Sequence, residues 1–133
     1  MAVYNVFVSH SWDNSEDLKN LKSLLEEKKY FKVEFKEVTK EEPINSTSAT
    51  YIKSVLSNKI KNADIVIGLA GVYASHSDWM EWELDKALEH ETPIIGVIPW
   101  GQQRVSTMVT SRSIEDVRWN TDSIVNAIRK HSK

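Results

Sequence analysis

The sequence predicts a single α/β domain built on a parallel sheet. Its 133 residues are close to the most common size of one domain, and its 41% hydrophobic and 27% charged residues are ordinary globular composition. Apolar runs of strand length alternate along the chain with segments of helical period, which is typical of strands joined by crossover helices. Because no repeat or linker interrupts this alternation, one domain is expected over residues 1–133.

The first half of the chain predicts two strands and two helices. Residues 3–8 form an apolar run that predicts a buried strand, and a helix is expected to follow it to about Lys28. Val33 and Phe35 alternate with charged residues, so the second strand should have one solvated face or lie at a sheet edge. The second helix is predicted from its apolar stripe, which consists of Ile52, Val55, Leu56 and Ile60.

The second half of the chain predicts the centre of the sheet. Residues 65–70 and 94–98 are continuous apolar runs, as expected for parallel strands covered by helices on both faces. A third helix is predicted between them, from about residue 78 to residue 90. An irregular segment should then lead to a short fifth strand at residues 117–119 and a last helix. The candidate caps of that helix are Asn120 and Thr121.

The predicted order of the strands locates the region where a ligand would bind. Right-handed crossovers and an edge position for the second strand favour the flavodoxin-like order 2-1-3-4-5 in a doubly wound, three-layer domain. In such sheets a ligand binds beyond the carboxyl ends of strands 1 and 3. The segments expected there are residues 9–13, the loop near Asn45, residues 71–77 and the chain from Trp100 onward.

Composition and missing motifs exclude several classes of function. A net charge of -2 and a pI near 6.1 provide no basic excess for nucleic acid or an anionic membrane. The chain has no cysteine, its histidines lack metal-ligand spacing, and it has neither G-x-G-x-x-G nor a P-loop. No apolar run approaches the roughly 20 residues of a membrane helix. We therefore expect a cytoplasmic protein with no cofactor, no metal, no nucleic-acid partner and no membrane contact.

The third helix carries a glutamate in an unusual position. At about 100° per residue from Met80, Leu88 falls at about 80°, which places the inward face slightly to the positive side of Met80. Glu83, at about -60°, is then partly inward and next to Trp79, whereas Trp82 at about 200° faces away from the core. A partly desolvated carboxylate would bind a positive or donating ligand or have a raised pKa, but a boundary glutamate paired with a lysine is equally compatible with this position.

Polar and aromatic side chains follow the first strand and precede the second helix. Hydroxyls, an imidazole and an indole at residues 9–12 would suit a nucleotide, although the same residue types also cap helices. The helix start at residues 45–50 could hold a diphosphate on its backbone N–H groups. A serine hydrolase has little support because the elbow motif G-x-S-x-G is absent.

Five segments in order carry a family resemblance. They are V-F-V-S-H-S-W (6–12), A-D-I-V-I-G-L-A-G-V-Y-A (63–74), S-D-W-M-E-W-E-L (77–84), P-I-I-G-V-I-P-W-G (93–101) and W-N-T-D-S-I-V-N-A-I (119–128). On these segments the chain resembles the TIR-like domains of bacterial Thoeris anti-phage systems, the ThsB family, within the TIR superfamily.

The resemblance implies an activity and a set of site residues. In catalytic TIR domains the catalytic glutamate follows a tryptophan by four positions on the helix after strand 3, as Glu83 follows Trp79. Such domains cleave the nicotinamide ribosyl bond of their substrate NAD+, often as self-associated assemblies. Thoeris members cyclise the ADP-ribose into a signal for a separate ThsA-like effector. The substrate-binding residues that this implies are Ser9, His10, Ser11, Trp12, Asn45, Ser46, Tyr73 and Trp79.

The sequence departs from the family pattern at two places, and two other functions are compatible with the same residues. The loop at residues 38–45 has no glycine and an acidic centre, and His10 stands where many TIR domains have an aromatic residue. A nucleoside deoxyribosyltransferase-like enzyme would have a related fold and also attack an N-glycosidic bond through a glutamate. A non-catalytic assembly module would instead use Trp82 at an interface and Glu83 as a structural residue.

Overall fold

Strands and helices alternate along the part of the chain that the structure describes. This computed structural model describes residues 4–10, 15–27, 31–35, 49–70, 78–99 and 105–133. The elements within these ranges are β1 (Tyr4–Ser9), α1 (Ser15–Glu26), β2 (Phe31–Phe35), α2 (Ala49–Asn62), β3 (Ile65–Leu69), α3 (Asp78–Glu89), β4 (Ile94–Ile98), α4 (Thr107–Thr110), β5 (Glu115–Arg118) and α5 (Thr121–His131).

The five strands form one parallel sheet in the order β2-β1-β3-β4-β5, which confirms the predicted fold. Every residue of β3 and β4 is buried, because helices cover both faces of these central strands. In β2, at one edge, Phe31 and Val33 are buried whereas Lys32 is exposed. The alternation read from the sequence therefore did indicate an edge strand with one solvated face.

Two helical layers cover the sheet, and each has its own hydrophobic core. Helices α1 and α5 pack on the face that includes Val6 and Val8. Helices α2, α3 and α4 pack on the face that includes Phe7. Because side chains alternate along a strand, Ser9 at the end of β1 points toward the same layer as Phe7. The layer of α2, α3 and α4 therefore surrounds the first predicted site residue.

The carboxyl-terminal part of the chain, from α4 to the start of α5, differs in part from its prediction. The segment predicted to be irregular contains the short helix α4, and β5 begins at Glu115 rather than at residue 117. Strand β5 is an edge strand with alternating partly buried and exposed residues, so no apolar run marks its start. Of the two predicted caps, Asn120 is the N-cap of α5, and its side chain accepts a hydrogen bond of 3.0 Å from the backbone N–H of Ser123.

Helix α3 is rotated relative to its prediction. Trp79 and Glu83 are both buried, with exposed fractions of 9% and 1%, so the inward face is centred near about -30° on the negative side of Met80. Leu88, which was predicted to be inward, is 50% exposed. Trp82, predicted to face away, is partly buried and packs against the core of α2, α3 and α4. Both predictions are wrong because the true face is turned toward Glu83.

Candidate active site

A row of aligned residues crosses the sheet from the carboxyl end of β1 to the middle of β4 and β5. Ser9 of β1 is the register partner of Gly68 in β3, and Gly68 in turn is the partner of Gly96 in β4. Gly96 is aligned with Asp116 in β5. Register partners in a sheet point to the same face, so this transverse row lies under α2, α3 and α4. Two of its four positions have no side chain.

The two glycines of the transverse row allow the helices to approach the sheet closely. A Cβ atom on Gly68 would lie only 2.9 Å from a methyl group of Val109 in α4 and 3.5 Å from a methyl group of Leu84 in α3. A Cβ atom on Gly96 would first collide with the carboxylate of Asp116 in β5, and it would lie 3.2 Å from the same Val109 methyl group. Helices α3 and α4 therefore both pack against the bare backbone at Gly68, and this brings Glu83, the residue before Leu84, close to the level of the row.

Glu83 is hydrogen-bonded to Ser9 in the interior of the protein. The Ser9 hydroxyl donates a bond of 2.7 Å to Oε1 of Glu83, and the two side chains are 0% and 1% exposed. A hydrogen bond to a carboxylate is short and strong, so it fixes the orientation of the carboxyl group on the end of β1. Carboxylates are almost never this deeply buried unless they are paired or used in function. The geometry thus provides a preorganised carboxylate at the predicted edge.

Two further predicted residues lie beside this pair. Trp79 precedes Glu83 by one turn on the same face of α3, and its ring centroid is 6.1 Å from that of Trp82 in an edge-to-face arrangement. His10 directly follows Ser9 at the end of β1 and is partly buried. The structure therefore brings Ser9 and Glu83 into contact, with an indole on one side and an imidazole next in the chain.

The lysine on α3 has a different carboxylate partner. Lys86 Nζ is 2.9 Å from Oε2 of the exposed Glu89 and 5.4 Å from the centroid of the Trp82 ring. The hydrogen bond and the charge of Lys86 lower the pKa of Glu89. This lysine thus supports the surface side of α3, whereas the buried hydrogen bond of Glu83 comes from a neutral hydroxyl.

Several predicted site residues lie outside the described part of the chain. These predictions, and the one concerning the loop at residues 38–45, stay predictions. The residues concerned are Ser11, Trp12, Asn45, Ser46 and Tyr73. Within the ranges that the structure describes, no three His, Cys, Asp or Glu side chains are grouped so as to hold a metal ion. In the same ranges, no helix has the length and apolarity needed to cross a membrane.

Sequence reasoning missed two features of this edge. An isolated glycine inside an apolar strand often marks a close approach of another element, and both Gly68 and Gly96 gave that signal. Ser106, just before α4, is 5% exposed, and its backbone N–H donates a bond of 3.2 Å to the carbonyl of Ala70 beyond β3. Nothing in the local sequence distinguishes this serine from the several others nearby.

The chain matches the family described as "Thoeris protein ThsB, TIR-like domain" over residues 7–104, well over half of its length. It belongs to this family. The matched part of this ThsB TIR-like chain contains both Ser9 and Glu83, and it confirms the resemblance that the five sequence segments indicated.

Solved structures extend the likeness of the ThsB TIR-like chain at the level of the fold. A 2-deoxyribosyltransferase from Bacillus psychrosaccharolyticus has a TM-score of 0.70 at 16% identity, with 92% of this chain and 90% of that chain covered. A conserved protein from Enterococcus faecalis V583 has a TM-score of 0.63 at 9% identity, with 97% and 99% covered. The CMP N-glycosidase BcmB from Clostridium botulinum has a TM-score of 0.59 at 16% identity, with 94% and 98% covered. No curated protein sequence matches the chain significantly.

Proposed function

We propose that this ThsB TIR-like chain is an enzyme that cleaves the nicotinamide ribosyl bond of NAD+ and cyclises the remaining ADP-ribose into a signalling nucleotide. The observation that carries the proposal is the buried carboxylate of Glu83, oriented by the Ser9 hydroxyl at the carboxyl edge of the sheet. Membership of the ThsB TIR-like family supports NAD+ as the substrate, because the family resemblance implies a catalytic glutamate at this position of the helix.

The chemistry of the bond suits one fixed carboxylate. When the bond between C1′ of the ribose and the ring nitrogen breaks, the electron pair stays with nicotinamide, which leaves as a neutral base. Positive charge then develops on the ribose, and a preorganised carboxylate stabilises it most effectively where water is excluded. We assign this role to Glu83. A nucleophile within the same ADP-ribose then forms the new bond in cyclisation, or water does so in hydrolysis.

The remaining residues of the edge would position the substrate. The indole of Trp79 is suited to stacking on a flat ring, and the imidazole of His10 to a hydrogen bond with a ribose or phosphate oxygen. We further propose that the enzyme self-associates when active and that a separate ThsA-like effector senses its product. These two proposals rest on the family alone.

A second candidate is a deoxyribosyltransferase-like or nucleotide N-glycosidase activity. It is favoured by the similarity of the fold to a 2-deoxyribosyltransferase and to a CMP N-glycosidase. Both names describe enzymes of N-glycosidic bonds, so the buried glutamate would serve the same purpose on a different substrate. This enzyme would act on nucleosides or CMP and leave NAD+ intact.

One experiment separates these candidates. The wild type and Glu83→Gln are incubated with NAD+, with deoxynucleosides and with CMP, and free base, ADP-ribose and cyclic product are separated by chromatography. Glutamine has nearly the same shape as glutamate but no charge, so we expect its turnover of NAD+ to fall by about 100-fold or more. The matched control is Glu81→Gln, which removes an exposed carboxylate from the same helix and should keep full activity.

The outcomes are distinct. Release of base from nucleosides or CMP, with NAD+ untouched, would establish the second candidate. Full activity in Glu83→Gln would remove Glu83 from the mechanism. If the wild type turns over none of these substrates, both when dilute and under crowding that favours self-association, both enzymatic candidates are overturned and the non-catalytic assembly module is favoured.

A further inference from the structure

Ser106 presents a buried hydroxyl that the fold itself does not use. The side chain is 5% exposed, and its Oγ atom makes no hydrogen bond with any part of the chain that the structure describes. Ser106 precedes α4, but its side chain does not cap that helix. A buried hydroxyl without a partner is destabilising, and such groups are rare in native proteins unless they have a further role.

The position of Ser106 relates it to the carboxyl edge of the sheet. Its backbone N–H donates a hydrogen bond to the carbonyl of Ala70, the residue that directly follows β3. Ala70 is two residues after Gly68, which corresponds to roughly 7 Å along an extended chain. One turn after Ser106, Val109 packs over Gly68, and Leu84 packs over the same glycine from the other helix. Ser106 and the turn of α3 that carries Glu83 therefore adjoin one point of β3.

The direction of approach also follows from the backbone. The N–H of Ala70 bonds to the carbonyl of Val97 in β4 at 2.9 Å, and in an extended chain the N–H and C=O of one residue point to the same side. Ser106 thus lies on the β4 side of β3, whereas Ser9 lies on the β1 side. A ligand that contacts both the Glu83 carboxylate held by Ser9 and the Ser106 hydroxyl would lie across the carboxyl end of β3.

We propose that the Ser106 hydroxyl donates a hydrogen bond to an oxygen of the nucleotide substrate, in its ribose or phosphate groups, while Glu83 acts at the reacting carbon. This inference rests on the proposed function, because it needs an N-glycosidic substrate at the same edge. Ser106 is then a binding residue, which accounts for a buried hydroxyl that has no hydrogen-bond partner among the residues that the structure describes.

Ser106→Ala tests the proposal through its urea midpoint and its KM. Loss of a structural serine would lower the urea midpoint and leave KM unchanged, whereas loss of a binding serine would raise KM without lowering the urea midpoint. Without ligand, the urea midpoint of Ser106→Ala should equal or exceed that of the wild type, because no hydrogen bond is lost. With whichever N-glycosidic substrate the wild type cleaves, KM should rise about three- to tenfold for contact with a ribose oxygen and by more than about tenfold for contact with a charged phosphate. Thr107→Ala, which changes the exposed neighbour, should leave both quantities unchanged.

The opposite results would overturn the inference. A urea midpoint lowered by more than about 0.5 M in Ser106→Ala would show that the hydroxyl has a structural partner. An active wild type with the same KM and kcat as Ser106→Ala would remove Ser106 from the site and leave the proposed function intact. A wild type that cleaves no N-glycosidic substrate would overturn the proposed function, and the ligand role of Ser106 with it.

Discussion

Ser9→Ala is the substitution that tests most directly how the carboxylate is held. It removes the donor of the 2.7 Å hydrogen bond to Glu83 while both residues are completely buried. The change from serine to alanine removes a single oxygen atom. A water molecule can take its place only if the cavity left behind is large enough to hold one. Glu83 would then lose the contact that orients it on β1.

The size of the effect follows from the type of bond. Hydrogen bonds to charged groups contribute about 1.5–3 kcal/mol, so loss of this one from the transition state corresponds to about a 10- to 150-fold decrease in kcat. KM should change by less than about threefold, because Ser9 acts on Glu83 rather than on the substrate. In the double variant Ser9→Ala with Glu83→Gln, the two effects should not add, since both substitutions disable the same carboxylate.

The assay is steady-state release of base over a range of substrate concentrations, which gives kcat and KM, measured beside the urea midpoint of each variant. Ser57→Ala is the matched control, because it removes a serine hydrogen bond of 2.9 Å to His90, which directly follows α3. It should lower stability without changing kcat. A Ser9→Ala enzyme with wild-type kcat, or one in which only KM changes, would refute the idea that Ser9 positions Glu83.

Two further predictions concern the frame around the site. Gly68→Ala places a methyl group 2.9 Å from Val109, so it should lower the free energy of unfolding by about 1–3 kcal/mol. Adding Val109→Ala in the same chain should recover part of this loss. If the losses of the two substitutions were additive in urea titrations, they would contradict the packing described. Asn120→Ala removes the cap bonded to Ser123 N–H and should cost about 1 kcal/mol in thermal or urea unfolding with kcat unchanged, whereas unchanged stability would show that the cap is not needed.

The sheet could be predicted because its signals are local. Continuous apolar runs mark β3 and β4, which are buried on both faces, and the alternation around Val33 marks an edge. The start of β5 was predicted two residues too late because Glu115 and Asp116 are polar. Strand β5 is the edge strand opposite to β2, and its outer side chains face solvent. The local hydrophobic pattern thus predicts how deeply a strand is buried, and it predicts strand ends less well at the edges of the sheet, where side chains face solvent.

The site could be predicted only in part because its main contact is not local. Helical period alone placed Glu83 at the boundary of the core, and Leu88 drew the predicted face to the wrong side of Met80. The partner that draws Glu83 inward is Ser9, 74 positions away in the sequence, and no period within α3 encodes that bond. Ser106 is harder still, since it is distinguished only by the burial that the tertiary fold imposes.

The two core clusters separate the residues that stabilise the fold from the residues of the candidate site, and sequence variation in the two groups should have different effects. Ser9 and Glu83 face one layer, whereas α1 and α5 pack on the other face of the sheet around a separate cluster. Changes within α1 and α5 would therefore alter how much folded protein a cell holds, and changes at the end of β1 or on α3 would alter how fast each molecule works. The proposed rate of bond cleavage and the amount of folded protein would then be set by separate groups of residues, so that a change in one need not alter the other.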